Sequence, residues 1–306
     1  MQTIELDINS PLAFPDGSVL TQGTFDGIHL GHVQLLHAVM DLAKDHGAPS
    51  VLLTFKPHPA KVLRPSRLIP LLTIDEEREK ILDEIGLDYL AIFSFNTKLA
   101  VLQAKNYVRQ VLVGIFGAKS VVVGYNHTFG RKREGGERLL EEMKPQYGYD
   151  LRIVPPVVFK GLPVHSSRIR EDLFDGRFAS AVHMLNRPYR ISGTVVRGHG
   201  VGRKLGYPTI NVRAHADKLI PKTGVYAAKV KVGDDWLPGM MYIGEDRSIF
   251  DLEVSIFDFD GDLYDTRVTI DVFDRTRDSV RFESSDKLVA QIAEDEKRIR
   301  DILSAI

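Results

Sequence analysis

Residues 18–47 read "SVLTQGTFDGIHLGHVQLLHAVMDLAKDHG". "SVLTQG" is a short apolar run of strand type. Beyond it Val33, Leu36, Val39, Met40 and Ala43 recur at helical spacing, and Gly47 offers a stop signal. Between strand and helix lies a turn with Gly23, Gly27 and Gly31, and with two histidines, His29 and His32, three residues apart. A strand that runs through a glycine-rich turn directly into a helix is the opening of a βα unit.

The alternation continues to about residue 160. "VLLTF" at 51–55 is followed by a proline-broken loop, then by "TIDEEREKILDEIG", where Thr73 and Glu76 have the spacing of a capping box. "DYLAIF", a helix near 103–113, "SVVVG" and "LRIVPPVVF" come next. Short apolar strands alternating with helices predict a parallel α/β sheet. After about residue 186 the rhythm changes. "ISGTVVRG", "GYPTINV", "GVYAAKVKVG", "LPGMMYIG", "LEVSIFDFDG" and "RVTIDVF" are strand-like runs divided by turn signals such as "HGVG", "VGDD" and "DFDGD". Strands without intervening helices predict an antiparallel barrel or sandwich. Leu288, Ile292, Ile299 and Ile302 then predict a terminal amphipathic helix. The change of rhythm places a boundary near "LNRPYR", residues 185–190, and the expected domains are 1–185 and 186–306.

With 306 residues, 43% hydrophobic and 26% charged, the composition is globular and allows two domains. Lys and Arg (40) nearly balance Asp and Glu (41), which argues against a general nucleic-acid binder and leaves room for small phosphorylated ligands. The absence of cysteine removes disulfides, thiolate catalysis and Cys-based zinc sites. "MQTIELDINS" lacks the basic and apolar regions of a signal peptide, and no apolar run reaches the length of a spanning helix. A soluble, cytoplasmic protein without membrane or nucleic-acid partners is expected.

In an open parallel sheet, ligands bind at the carboxyl ends of the strands. At the first βα turn, glycines admit a ligand close to the backbone and the helix N-terminus attracts phosphate. His29 and His32 placed there can donate to phosphoryl oxygens and stabilise charge growing on them. Two other readings of the pair are a cap of the turn and a metal site, although a zinc site would need further ligands. Neither Gly-x-x-x-x-Gly-Lys-Ser/Thr nor Gly-x-Gly-x-x-Gly occurs, so any phosphate chemistry uses another device.

"GTFDGIHLGH" resembles the signature of the nucleotidylyltransferase superfamily, whose histidines stabilise phosphates while a nucleophile attacks the α-phosphorus of a nucleoside triphosphate. Three later segments extend the resemblance: "TFKPHP" at 54–59, "VVVGYNHTFGRKREGG" at 121–136 and "HSSRIREDLFDGRFASAVHMLNRPY" at 165–189. Taken alone, the first is a rigid loop, Arg131, Lys132 and Arg133 are a solvated charge run, and Ser166 or Ser167 is a helix cap. Taken in order, they resemble the bacterial FAD synthetase module. That resemblance implies nucleotide contacts from Gly23, Thr24, Phe25, Asp26, Gly31, Asn126, Ser166, Ser167 and Arg168. It implies flavin contacts near Phe55, Pro57 and His58. "GYNHTFG" departs from the pattern, with Asn126 in place of aspartate and His127 in place of an aromatic residue.

"GHGVGRKLGYPTINV" at 198–212 resembles the flavokinase Pro-Thr-Ala-Asn signature, with Ile210 for alanine. The Thr209 hydroxyl and the Asn211 amide oxygen are hard donors suited to Mg²⁺ beside a phosphate, although a plain turn into a strand reads equally well. Glu253, alternating with Leu252 and Val254, is expected on the opposite face of its strand from them. It reads as a solvent-facing residue or, by resemblance, as the base that takes a proton from the ribityl 5′-hydroxyl of the flavin. Arg277 is a flavin contact by the same resemblance. "YIGEDRSIFDLEV" departs from the pattern: Tyr242 replaces an asparagine, and only eight residues separate Gly244 from Glu253.

Nearly the whole chain, about 18–304, thus resembles the bacterial bifunctional riboflavin kinase/FAD synthetase family. The implied fold is a Rossmann-like nucleotidylyltransferase domain with a parallel sheet, followed by an antiparallel flavokinase β-barrel with a terminal helix. The implied ligands are riboflavin, FMN and ATP with Mg²⁺, and FAD as final product; the oligomeric state is left open. The departures keep two alternatives in view, a paralogue with one activity and a non-catalytic flavin or nucleotide binder.

Overall fold

The computed structural model describes residues 1–63, 65–66, 69–198, 202, 206–244 and 251–306. His199, Gly200 and Val201 of the "HGVG" turn, the basic residues after it, and most of the short loop between Gly244 and Glu253 lie outside the described residues. Two compact units are found: 1–69 with 78–165, and 70–77 with 166–306.

The first unit is a six-stranded parallel sheet of β1 (Gln2–Leu6), β2 (Ser18–Gln22), β3 (Ser50–Lys56), β4 (Tyr89–Ser94), β5 (Ala118–Gly124) and β6 (Asp150–Val154). The spatial order is β1-β4-β3-β2-β5-β6, which sets the chain reversal of a doubly wound fold between β2 and β5. β2 and most of β3 are buried, as expected of central parallel strands covered on both faces. Helix α1 (Leu30–His46) covers one face through Leu36, Val39 and Ala43, and Gly47 ends it in the left-handed conformation (φ 56°), where glycine carries no Cβ penalty. Strand β1 has no counterpart in the pattern read above. "LRIVPPVVF" divides at its two prolines into β6 and a short strand β7 (Val158–Phe159), which pairs with β8 (Leu162–Pro163). The proline-broken loop holds one short helix, α2 (Pro59–Leu63). The region near 103–113 opens as helix Ala104–Tyr107 and widens into a π-helix, Val108–Val113.

Helix α3 (Asp75–Ile85) starts in the 70–77 segment, and its capping differs from the box expected of Thr73 and Glu76. Glu76 takes a bidentate pair from Arg267, while Glu77 accepts from the Ile74 N–H at 3.2 Å. The returning carboxylate is therefore one residue further along, because Arg267 claims the first.

The second unit is a closed antiparallel barrel in the order β10-β13-β12-β11-β14-β9. Its strands are β9 (Tyr189–Val196), β10 (Ile210–Ala214), β11 (Gly224–Val232), β12 (Asp235–Ile243), β13 (Asp251–Ile256) and β14 (Arg267–Arg277). Two helices precede it, Ser166–Asp175 and Phe178–Leu185, and Phe178 packs edge-on against Tyr226 at 5.2 Å. Val212, Leu252, Val254, Met241, Tyr226 and Ala228 fill the interior. The alternate residues Val225, Ala227 and Met240 face outward and pack with Ile299 and Leu303 of the C-terminal helix (Ser285–Ser304). That helix is capped by Ser284, whose hydroxyl accepts from the Lys287 N–H at 3.3 Å.

Candidate active sites

The first site grows from the end of β2. After Gln22 the backbone takes a run of left-handed conformations: Gly23 (φ 159°), Phe25 (45°), Gly27 (90°) and Ile28 (37°). Glycine adopts these freely, but Phe25 and Ile28 each cost of order 1–3 kcal/mol there. Both side chains are buried in one cluster with Leu36 and Leu52, and that burial holds the strained turn in place. His29 follows as the extended N-cap of α1, and its carbonyl accepts from the N–H groups of His32 (2.7 Å) and Val33 (3.0 Å). Its imidazole stacks on that of His32 with centroids 3.7 Å apart, and Phe25 stacks on the far face of the pair at 4.5 Å from His32. Gly31 has a local role: a Cβ there would stand 3.3 Å from His29 Cε1. The short gap between the histidines thus places both rings in one stack at the helix N-terminus. Among the described residues no group of three or more His, Asp and Glu is arranged to hold a metal ion.

β3, β2 and β5 are sheet neighbours, so their carboxyl ends lie side by side. This brings Phe55 (near the end of β3), Pro57 and His58 (after it) and Asn126 (after β5) to the same edge as the histidine turn. Phe55 packs edge-on against Phe95 at 5.7 Å, His58 Nδ1 accepts from the Ala60 N–H at 3.1 Å, and Asn126 is exposed. Gly23, Thr24 and Gly31 are half-buried, and Asp26 is buried in the turn. Ser166, Ser167 and Arg168 open the helix Ser166–Asp175 in the second unit.

A polar network that sequence reading did not reveal supports the turn. Tyr107 donates its hydroxyl to Gln22 Oε1, and Gln22 Nε2 lies 3.0 Å from His127 Nε2. With its oxygen accepting from tyrosine, the amide presents N–H to the imidazole, which fixes His127 as the neutral Nδ1–H tautomer. Burial, and then the Arg133 charge, lower the pKa of His127 to about 4, while burial raises that of Tyr107. His127 also stacks on Phe129 at 5.8 Å, keeping the ring-on-ring contact an aromatic residue would make.

The second site is a cavity of about 580 Å³ on the outside of the barrel wall, roofed by the C-terminal helix and the segment before it. Strand register explains its polar row. Tyr242 of β12 lies opposite Glu253 of β13, and Glu253 opposite Asn211 of β10, so the three side chains project from one face. Leu252 and Val254 are buried in the barrel while Glu253 is exposed. Val225, Met240, Phe282, Leu288 and Ile292 give the cavity apolar walls. Arg277 lines it as well, held by Asp295 through Nε (2.9 Å) and a second guanidinium nitrogen (2.6 Å). Tyr242 donates to or accepts from Ser279 Oγ at 2.8 Å. Thr209 lines this cavity and also a second one of about 430 Å³ bounded by Val195, Phe259 and Tyr264. A Cβ on Gly198 would collide with the Asn211 amide, so the glycine makes room for that side chain. Asp295 is a residue of this site that the strand and helix patterns did not single out.

A family model described as FAD synthetase matches residues 12–168, and one described as riboflavin kinase matches 185–303. The Escherichia coli K12 bifunctional riboflavin kinase/FMN adenylyltransferase is 34% identical over 94% of this chain and 93% of its own length. The Listeria monocytogenes protein of the same name is 32% identical over 92% and 91%. A crystal structure from Streptococcus pneumoniae, described as a macrolide-efflux protein, is 31% identical and covers 97% of this chain and 98% of that one, with a TM-score of 0.88. Among the described residues no helix of this chain is long and apolar enough to cross a membrane. Two family models in sequence, together with relatives aligned almost end to end, place this chain in the bifunctional riboflavin kinase/FMN adenylyltransferase family.

Proposed function

We propose that residues 186–306 phosphorylate riboflavin to FMN with ATP, and that residues 1–185 adenylylate FMN to FAD with release of pyrophosphate. The observation that carries the kinase half is the exposed carboxylate of Glu253 in a cavity that also has apolar walls, in one row with Asn211. Thr209 borders both cavities, which suits the point where a flavin 5′-hydroxyl in one meets the γ-phosphate of ATP in the other. Glu253 removes the proton of that hydroxyl as its oxygen attacks the γ-phosphorus, and ADP leaves. Arg277, fixed by Asp295, orients the flavin. Thr209 and Asn211 offer a hydroxyl and an amide oxygen, a donor set that fits Mg²⁺ sharing substrate phosphates. When bound, the ion neutralises phosphate charge.

In the adenylyl-transfer half, an FMN phosphate oxygen attacks the α-phosphorus of ATP and the bond to pyrophosphate breaks. His29 and His32 donate to the phosphoryl oxygens where negative charge grows. The glycine turn from Gly23, with Thr24, Phe25 and Asp26, together with Gly31, gives backbone access to the nucleotide. Asn126, Ser166, Ser167 and Arg168 are further nucleotide contacts, and Phe55, Pro57 and His58 border the flavin.

Incubation of the full chain with riboflavin, ATP and Mg²⁺, followed by chromatographic separation of flavins, tests this reading. Glu253→Gln should slow FMN formation by about 10²-fold or more while FMN still becomes FAD. His32→Ala should abolish FAD formation and leave FMN formation intact. Accumulation of neither FMN nor FAD by the wild type would end the enzymatic reading.

A further inference from the structure

The loop that leaves β5 carries Arg131, Lys132 and Arg133 on a 3₁₀ turn, all three exposed. A solvated charge run would be held loosely, but this loop is fastened at both ends. Phe129 and Gly135 exchange backbone hydrogen bonds (3.0 and 2.9 Å), and the Arg131 N–H donates to Leu102 O at 2.8 Å. Gly130 and Gly135 abut Ala104 so closely that a Cβ on either would come within 2.7 or 2.8 Å of it. Between these anchors Lys132 (φ 52°) and Arg133 (φ 64°) are both left-handed, a conformation that residues with a Cβ adopt at a cost. Glycine would occupy these two positions more easily, so the long cations are held there against the backbone preference.

The loop's acid does not neutralise them. Glu134 accepts from the Ala104 N–H at 2.9 Å and lies 3.9 Å from Arg131. Among the described residues Lys132 makes no hydrogen bond or ion pair. Arg133 donates from Nε to Thr128 Oγ1 at 2.8 Å, and its charge is felt at His127. His127 in turn contacts Gln22, the residue immediately before the histidine turn. A continuous path of neighbours thus leads from the cationic loop to Gly23, and because the His127 ring is neutral, the positive charge on this path resides on the loop.

We propose that Lys132 and Arg133 form an anion subsite at the carboxyl end of β5 that holds a phosphate of a substrate bound at the histidine turn. The inference rests on the adenylyl-transfer reading given above. Two phosphates share this chemistry, that of FMN and the triphosphate of ATP, and separate Michaelis constants tell them apart.

The test uses the full chain with Lys132→Asn, which tolerates a left-handed backbone and removes the charge, Lys132→Arg, which keeps the charge, and Arg133→Gln. Initial rates of FMN adenylylation are measured against each substrate, with riboflavin phosphorylation as the internal control. Lys132→Asn and Arg133→Gln should raise KM by about tenfold or more, as expected for loss of a hydrogen bond to a charged group. A rise confined to FMN assigns the flavin phosphate, and one confined to ATP assigns the triphosphate. Lys132→Arg should stay near wild type, and riboflavin phosphorylation should be unchanged in all three. Unchanged KM for both substrates in Lys132→Asn and Arg133→Gln overturns the proposal, as does an equal loss in Lys132→Arg or a parallel loss of riboflavin phosphorylation. Titration with inorganic pyrophosphate reads the subsite without turnover. A wild type that binds pyrophosphate, with Lys132→Asn binding about tenfold more weakly, supports the subsite even if no FAD forms, and that absence of FAD would count against adenylyl transfer instead.

Discussion

Replacing Lys218 by methionine isolates the contribution of one buried ion pair to the barrel unit. The Lys218 ammonium and the Glu77 carboxylate meet at 2.6 Å, and both side chains are fully buried. Glu77 also accepts from the N–H groups of Ser192 at 2.8 Å and Ile74 at 3.2 Å. Lys218 donates to Leu72 O at 2.6 Å and lies over the Tyr189 ring at 4.3 Å. Methionine preserves most of the apolar stem but removes the cation paired with the buried carboxylate, leaving it two backbone donors and the more distant influence of Arg187. Breaking a buried pair from one side costs about 3–5 kcal/mol. The only tryptophan of the chain, Trp236, sits on β12, so its fluorescence in urea follows this unit. For a denaturant slope of about 2 kcal/mol per molar, the midpoint should fall by roughly 1.5–2.5 M. The double variant Lys218→Met/Glu77→Gln removes the stranded charge while keeping an acceptor for the backbone N–H groups, and it should recover about half of the loss or more. A midpoint shift below about 0.5 M in the single variant would refute the reasoning, because the penalty for an unpaired buried charge would then be absent. A double variant no more stable than the single would refute it equally.

Gly31→Ala should favour helix α1 by about 1 kcal/mol yet slow FAD formation about tenfold, because the new Cβ displaces the His29 ring by a few tenths of an ångström. Initial rates and thermal unfolding together check this, and a variant that is both stabilised and fully active would show that the ring position is unimportant. For His127 the folded state favours the neutral ring, with its pKa at about 4. Its stabilising contribution is therefore complete above the unfolded value near 6.5 and is lost as pH falls from there to 4; for a shift of this size the ceiling is about 3 kcal/mol. His127 is half-buried, so solvent screening keeps the loss below that ceiling. His127→Phe should flatten this part of the stability profile in urea titrations at pH 7, 5.5 and 4, and an unaltered slope would count against the shifted ring.

Local periodicity made several parts of the fold and sites legible. The helix after the histidine turn announced itself through Leu36, Val39 and Ala43, and Glu253 through its alternation with two buried neighbours on a strand. The His29–Gly31–His32 spacing made the stacked pair readable because all three residues lie within one helical turn. What sequence reading missed depends on partners far apart in the chain. Gln22 meets Tyr107 and His127 across 85 and 105 residues, and Lys218 meets Glu77 across 141. No periodic pattern encodes such pairs. Asp295 carries a polar residue to the buried side of the C-terminal helix, where a pattern of apolar residues gives no hint of it. The capping of α3 was misassigned for a similar reason, since Arg267, 191 residues away, competes for Glu76.

Strand β1 has a consequence for how this protein behaves at high concentration. It pairs with β4 over Gln2–Leu6 and Tyr89–Phe93, and it is itself mostly exposed, with Glu5 turned to solvent. β4 is nearly all buried and apolar, "YLAIFS". Unpaired, it would present a row of open backbone groups on a sticky ribbon, the kind of edge that recruits a second molecule and seeds aggregation. The FAD synthetase match begins at residue 12, so β1 lies outside the matched segment and acts as a guard rail along the edge of the sheet. A chain trimmed to begin at residue 12 would keep every candidate site residue named above and lose its colloidal protection.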